Sequence, residues 1–148
     1  FGEATFCGES ALRLNSRLYL LPKLKSRFVF GSSIPAIYQN YAGGVADGYY
    51  LPWQMSWESV QHVHLLECNV VTAQLGFRYR VKGKFYLTAL GEYGKEAHKF
   101  SHILIGDDLW GGALRASYDF VLGPVSIQTN YSNLGKNVGF YINAGFVF

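Results

Sequence analysis

Along most of the chain, apolar and polar residues alternate one by one. In VVTAQLGFRYRV, Val71, Ala73, Leu75, Phe77, Tyr79 and Val81 take one side of an extended backbone, and Thr72, Gln74, Gly76, Arg78 and Arg80 take the other. A two-residue period belongs to a strand with two unlike faces and is incompatible with an amphipathic helix. The same period sets Trp110, Leu114, Ala116, Tyr118 and Phe120 against Gly111, Ala113, Arg115, Ser117 and Asp119. It sets Val125, Ile127, Thr129 and Tyr131 against Ser126, Gln128, Asn130 and Ser132. At the end of the sequence, Phe140, Ile142, Ala144, Phe146 and Phe148 oppose Tyr141, Asn143, Gly145 and Val147. ALRLNSRLYL reads as a strand with Leu12, Leu14, Leu18 and Leu20 on one face and Arg13, Asn15, Arg17 and Tyr19 on the other. KFYLTALGEY and RFVFGSSI are less regular, and FGEATF supplies an opening strand. The pattern predicts an all-β, antiparallel protein of about eight strands.

Composition agrees with strands and tight turns. Among 148 residues stand 11 Tyr, 11 Phe and 17 Gly, with only 16% charged, a balance that favours pleated, half-buried surfaces. The length suits one domain, residues 1–148. Phe at position 1 without a signal peptide reads as a mature chain or a piece of a longer one. The net charge of +3 is scattered, which gives no footprint for nucleic acid. No apolar run reaches the length of a transmembrane helix, although a transmembrane barrel carries a much weaker signal per segment. Cys7 and Cys68 make neither a disulfide framework nor a zinc motif. A single bridge between them is the minor reading.

The connections alternate in length. Short links are predicted at LPKLKS (21–26), VKGK (81–84) and LGP (122–124), and longer ones at about 35–69 and 94–108. The link at 133–138 is short but falls in the right place. Outer-membrane barrels have short periplasmic turns and longer external loops. On that scheme the last strand runs inward, and Tyr79, Tyr93, Trp110 and Tyr131 suit interfacial girdles. A soluble lipocalin-like barrel also has about eight antiparallel strands, but holds its apolar face inward around a ligand. The large aromatics on nearly every apolar face favour lipid as the solvent of that face.

The run YQNYAGGVADGYYLPW, followed by NVVTAQLGFRYRVKGKFYLTALGEYG, DDLWGGALRASYDFVLGPVSIQTNYS and GFYINAGFVF, resembles the C-terminal part of the surface-antigen barrel superfamily. That superfamily includes BamA-type insertases, TamA-type assembly factors and two-partner-secretion transporters. The likeness is closest to the barrel of patatin-like outer-membrane phospholipases of Bacteroidetes. It spans the chain from about Phe28 onward. It implies a transmembrane barrel of about sixteen strands in the outer membrane of a Gram-negative cell, of which this chain supplies about the last eight. It also implies that the loop of about 35–69 folds back into the lumen, with its tip at Tyr41, Gly43 and Gly44. Insertases carry a Val-Arg-Gly-Phe tip; here the matching place reads Tyr41-Ala42-Gly43-Gly44-Val45, without Arg, which fits the patatin-linked branch better. The implied partners are outer-membrane lipid, the barrel-assembly machinery and other outer-membrane or periplasmic proteins. Phe146 and Phe148, supported by Phe140 and Tyr141, would be the signal read by that machinery, because an apolar strand with an unpaired edge can add to another sheet. They serve equally as lipid-facing and interfacial residues.

Chemistry is sparse. A patatin hydrolase needs a Gly-x-Ser-x-Gly elbow; FGSSIPA lacks the second Gly and Asp47-Gly48 has no elbow to serve. Any phospholipase activity would lie in another domain of a longer parent, and no catalytic residue is expected here. His62 and His64 share a face of an extended segment, followed by Glu67 and Cys68, but read as an exposed loop end. Asp107-Asp108 reads as a solvated turn, so no metal or cofactor is expected. Arg13, Arg17, Arg78, Arg80 and Arg115 should lie on the polar side with Glu3, Glu92 and Asp119. The excess of Arg points to a wide lumen or to an acidic partner within it. The leading expectation is therefore a membrane anchor or translocation pore formed by part of a larger barrel. The alternatives are a complete eight-strand outer-membrane barrel with an adhesive or membrane-stabilising role, and a soluble ligand carrier.

Overall fold

A computed structural model describes residues 2–32, 34–45, 48, 51–60 and 62–145. The strands are β1 (Gly2–Glu9), β2 (Leu12–Arg13), β3 (Leu18–Phe30), β4 (Tyr41–Ala42), β5 (Gln54–Met55), β6 (His64–Leu65), β7 (Asn69–Lys82), β8 (Phe85–Ala97), β9 (Asp107–Phe120), β10 (Gly123–Ser132) and β11 (Val138–Ala144). Two 3-10 turns, Ala36–Tyr38 and Phe100–Ile105, sit in the long links. The protein is all-β. Its main sheet is eight-stranded in the order β1-β3-β7-β8-β9-β10-β11, with β2 also on β3. Every pairing in it is antiparallel. Among the described residues the sheet is not closed on itself.

β1 and β2 are two pieces of one edge. Gly2 to Glu9 pair with Phe30 to Lys23, and Leu12 and Arg13 continue the register against Leu20 and Tyr19. The break falls where Ser10 meets Pro22. Ser10 N–H donates to the Pro22 carbonyl at 3.1 Å, but proline has no N–H to return.

The first hairpin is displaced from its expected place. LPKLKS lies within β3, and the turn falls at residues 15–17, inside the segment expected to be a strand. The Asn15 side chain makes this turn by accepting from the N–H groups of Arg17 at 2.8 Å and Leu18 at 2.9 Å, the usual way an Asn side chain replaces a backbone turn. Arg17 is thus a turn residue and not a strand residue. RFVF belongs to the same β3, which ends at Phe30. With that shift, the short turns are residues 15–17, 83–84 and 121–122, all at one end of the sheet. The described residues of 31–68, with 98–106 and 133–137, form the other end.

Burial is inverted relative to a water-soluble sheet. Along β7 the apolar Ala73, Leu75, Phe77 and Tyr79 are exposed, while Thr72, Gln74 and Gly76 are buried. Across the sheet, Leu114 is 61% and Ile142 67% exposed, whereas Gln128 is 3% and Ser132 0% exposed. The apolar rows run continuously, as in Leu20, Phe77, Ala89, Leu114, Thr129 and Phe140. The buried apolar core lies instead between the 31–68 segment and one end of the polar face. It comprises Ala42, Met55, Trp57, Val60, Leu66, Val70 and Leu109.

Candidate functional site

The described residues of the segment 31–68 cross back over the polar face. β4, β5 and β6 make a small second sheet in it, in the order β5-β4-β6, and Gly44 bridges Trp57. Gly43 has φ +148°, and a Cβ there would stand 2.6 Å from the His62 carbonyl oxygen. That packing explains the glycine inside the loop's own fold. Tyr41 donates its hydroxyl to the Ala36 carbonyl at 3.1 Å.

Contact with the strands is made later in the chain than expected. The tip was expected at Tyr41, Gly43 and Gly44; the densest hydrogen bonding to the middle of the sheet is made by Ser56, Trp57, Glu58 and Ser59. Glu92 of β8 accepts from Glu58 N–H at 2.8 Å and Ser59 N–H at 2.9 Å, and also from the Ser59 hydroxyl. Gln74 of β7 donates to Glu92 at 2.9 Å and to the Ser56 carbonyl at 2.7 Å. Gln128 and Asn130 of β10 both donate to the Glu58 carbonyl, at 2.9 and 2.8 Å. The Glu58 carboxylate pairs with Arg115 of β9, whose Nε donates to Gln128 at 2.8 Å. Trp57 Nε1 donates to Ser132 Oγ at 3.4 Å. Lys23 of β3 reaches Ser56 Oγ at 2.8 Å. The loop thus joins β3, β7, β8, β9 and β10 through charge-assisted or buried hydrogen bonds, the stronger kinds. Burial pushes the Glu58 carboxyl above the ordinary range, and the Arg115 and Lys23 charges oppose that rise.

Gly111 makes this seat possible. A Cβ at Gly111 would collide with the Ser59 side chain, standing 2.6 Å from Ser59 Cβ and closer still to its Oγ. Gly111→Ala is expected to destabilise the seated loop by about 1–3 kcal/mol through overpacking. Chymotrypsin cleavage within residues 51–60 should rise accordingly, while Gly91→Ala, where a Cβ meets nothing within 4 Å, should leave it unchanged.

The other expected lumen charges fall into four situations. Arg78 lies 4.0 Å from Asp119 and stacks over Tyr86 at 4.1 Å. Arg13 and Arg80 cap the first hairpin, donating to the carbonyls of Asn15 at 3.1 Å and Ser16 at 2.8 Å. Arg17 stands exposed in that turn. Glu3 pairs at 2.6 Å with Arg27, a buried charge whose place the alternation alone does not reveal. Arg27 also donates to the Tyr38 carbonyl and to Asn40 Oδ1, both at 3.0 Å, so it holds the start of the loop. Toward the short turns the polar face opens into a cavity of about 890 Å³ lined in part by Arg78, Arg115, Ser117, Asp119, Gln128 and Tyr141. Tyr141 therefore faces the polar side and Phe140 the apolar side; Phe146 and Phe148 lie outside the described residues.

Cys7 is exposed and Cys68 buried, and both are free thiols. Cys68 instead lies beside Glu67 and His98. His98 is thirty positions further on, across a hairpin, so no local spacing could have revealed the group. No family model and no curated protein matches this chain.

Proposed function

We propose that this chain is the C-terminal portion of an outer-membrane β-barrel of the surface-antigen type, closest to the patatin-linked branch, and serves as a membrane anchor or translocation pore. The observation that carries the reading is the inverted burial. A continuous apolar face stands uncovered, while the polar face is buried in part beneath a loop of the same chain. Water-soluble monomers rarely leave so large an apolar face bare, and a ligand carrier would turn it inward. Lipid satisfies it. The segregation of short turns to one end and long links to the other supports the same reading.

Strand direction favours a larger barrel over a complete small one. The sheet path has alternating directions from β1 to β11, so its two edge strands run the same way. Joining them directly would need a parallel pair, whereas single-chain outer-membrane barrels are antiparallel with an even strand number. An odd number of additional strands would close such a barrel. In it, the described residues of 31–68 occupy the lumen and Glu58 is the acid that pairs with Arg115.

The test is gel mobility of the natural protein extracted from outer membranes, with and without heating. The expected result is a heat-modifiable species much larger than 16.6 kDa that contains these peptides. A heat-modifiable species of that small mass would replace the reading with a complete small barrel. Recovery in the detergent-free soluble fraction would replace it with the carrier.

A further inference from the structure

We propose that Glu67, Cys68 and His98 form a zinc site that staples the end of the inserted loop to the link after β8. Their ligand atoms all lie within 4.8 Å of one another. His98 Nδ1 stands 3.2 Å from Glu67 Oε2. Ligands on a tetrahedral zinc, with bonds of about 2.0–2.3 Å, sit roughly 3.3–3.7 Å apart. The imidazole and carboxylate therefore already hold ligand spacing, and the sulfur has at most about 1 Å to close. A thiolate, an imidazole and a carboxylate suit zinc and not calcium or magnesium, which take oxygen.

The backbone bearing these groups is fixed by two buried side chains. Asn40 donates to the carbonyls of Glu67 at 2.8 Å and Cys68 at 3.0 Å. Asn69 donates to the carbonyls of Ala97 at 3.3 Å and His98 at 3.0 Å. Glu96 accepts from Glu67 N–H at 2.8 Å. Such outer contacts hold metal ligands in place. Asn69 Oδ1 is itself buried without a hydrogen-bond donor. An exposed Glu67–His98 ion pair explains two of the three groups, but it gives the Cys68 thiol no part and stabilises little.

Binding is balanced simply. The Cys68 S–H proton leaves to solvent, the thiolate sulfur donates a pair to zinc, neutral His98 donates through Nδ1, and the Glu67 carboxylate supplies the third bond. Water takes the fourth position. The exposed His98 offers the ion its entry.

The test uses the full-length protein purified in detergent, stripped with chelator and titrated with cobalt(II). The expected result is tetrahedral visible bands with a thiolate charge-transfer band, saturating at one equivalent and displaced by zinc. Cys68→Ser should abolish the charge-transfer band, His98→Ala should weaken cobalt binding about tenfold or more, and Cys7→Ser should change neither. His98 is exposed, so its variant decides the matter if Cys68→Ser fails to fold. Absence of the charge-transfer band in the wild type, full-strength binding in His98→Ala, or loss of the band in Cys7→Ser would overturn the site.

Discussion

Glu92→Ala is expected to release the inserted loop from the sheet while leaving the sheet paired. The carboxylate accepts from two loop backbone N–H groups, from the Ser59 hydroxyl and from Gln74. Gln74 keeps its second partner, the Ser56 carbonyl; the two loop N–H groups keep none that the geometry supplies. A buried donor left without an acceptor costs about 1–3 kcal/mol, and losing the charged acceptor adds to that. The sum, roughly 3–5 kcal/mol against the seated loop, resembles the cost of breaking a buried charged network. Where loop opening is fast relative to cleavage, proteolysis follows the open population. Chymotrypsin cutting at Trp53 and Trp57 should therefore rise about hundredfold or more. The β7 and β8 ladder does not involve the Glu92 side chain, so the heat-modifiable mobility that the proposed barrel implies should survive. Glu92→Gln should fall between, because it keeps one acceptor oxygen but turns an amide N–H₂ toward donors. Cleavage of Glu92→Ala at the wild-type rate would mean that the Arg115–Glu58 pair, the Gln128 and Asn130 hydrogen bonds and the apolar packing of Met55, Trp57 and Val60 suffice to seat the loop.

The parts of this structure legible in the sequence are those set by neighbours along the chain. Side-chain parity is fixed by the pleat, so the division of Leu75, Phe77 and Tyr79 from Gln74, Gly76 and Arg78 is readable without tertiary information. The turn at Gly83 is equally local, because its φ of +55° favours glycine. The first hairpin was misplaced for a physical reason. LPKLKS contains the Pro and Ser expected of a turn, but Pro22 stands where only the edge bond to Ser10 is lost. Meanwhile Asn15 builds a turn between leucines that imitate strand continuity. The loop seat was illegible because its partners are far apart: Glu58 and Arg115 are separated by 57 positions. Arg115 takes its acid, Glu58, from the loop. Which acid filled the place depended on how the loop folded on itself around Gly43 and Trp57.

Leu114→Arg should separate the lipid reading from a soluble one more sharply than any change on the polar face. Leu114 sits within β9, flanked in its row by Ala89 and Thr129, and its side chain is mostly exposed. If that face meets lipid, an arginine near the bilayer midplane costs about 2–4 kcal/mol, and a charge near the interface costs about 0–1 kcal/mol. Val121→Lys, in the turn after β9 and 84% exposed, is the interfacial control. Denaturant refolding of the full-length protein into lipid vesicles should then show Leu114→Arg losing most of that range and Val121→Lys little. In water the order has no reason to hold, because replacing an exposed leucine by arginine removes apolar area from solvent and leaves the strand ladder intact. Near the long links, Tyr93 donates to Asp108 at 2.6 Å and Lys95 pairs with Asp108 at 2.9 Å on this same face. Charges are thus already accommodated there, beside Trp110 and Tyr131, whose rings lie 5.7 Å apart, as at a membrane interface. A charge tolerated equally at Leu114 and Val121 would remove the depth dependence on which a bilayer insists, and with it the membrane assignment of this face.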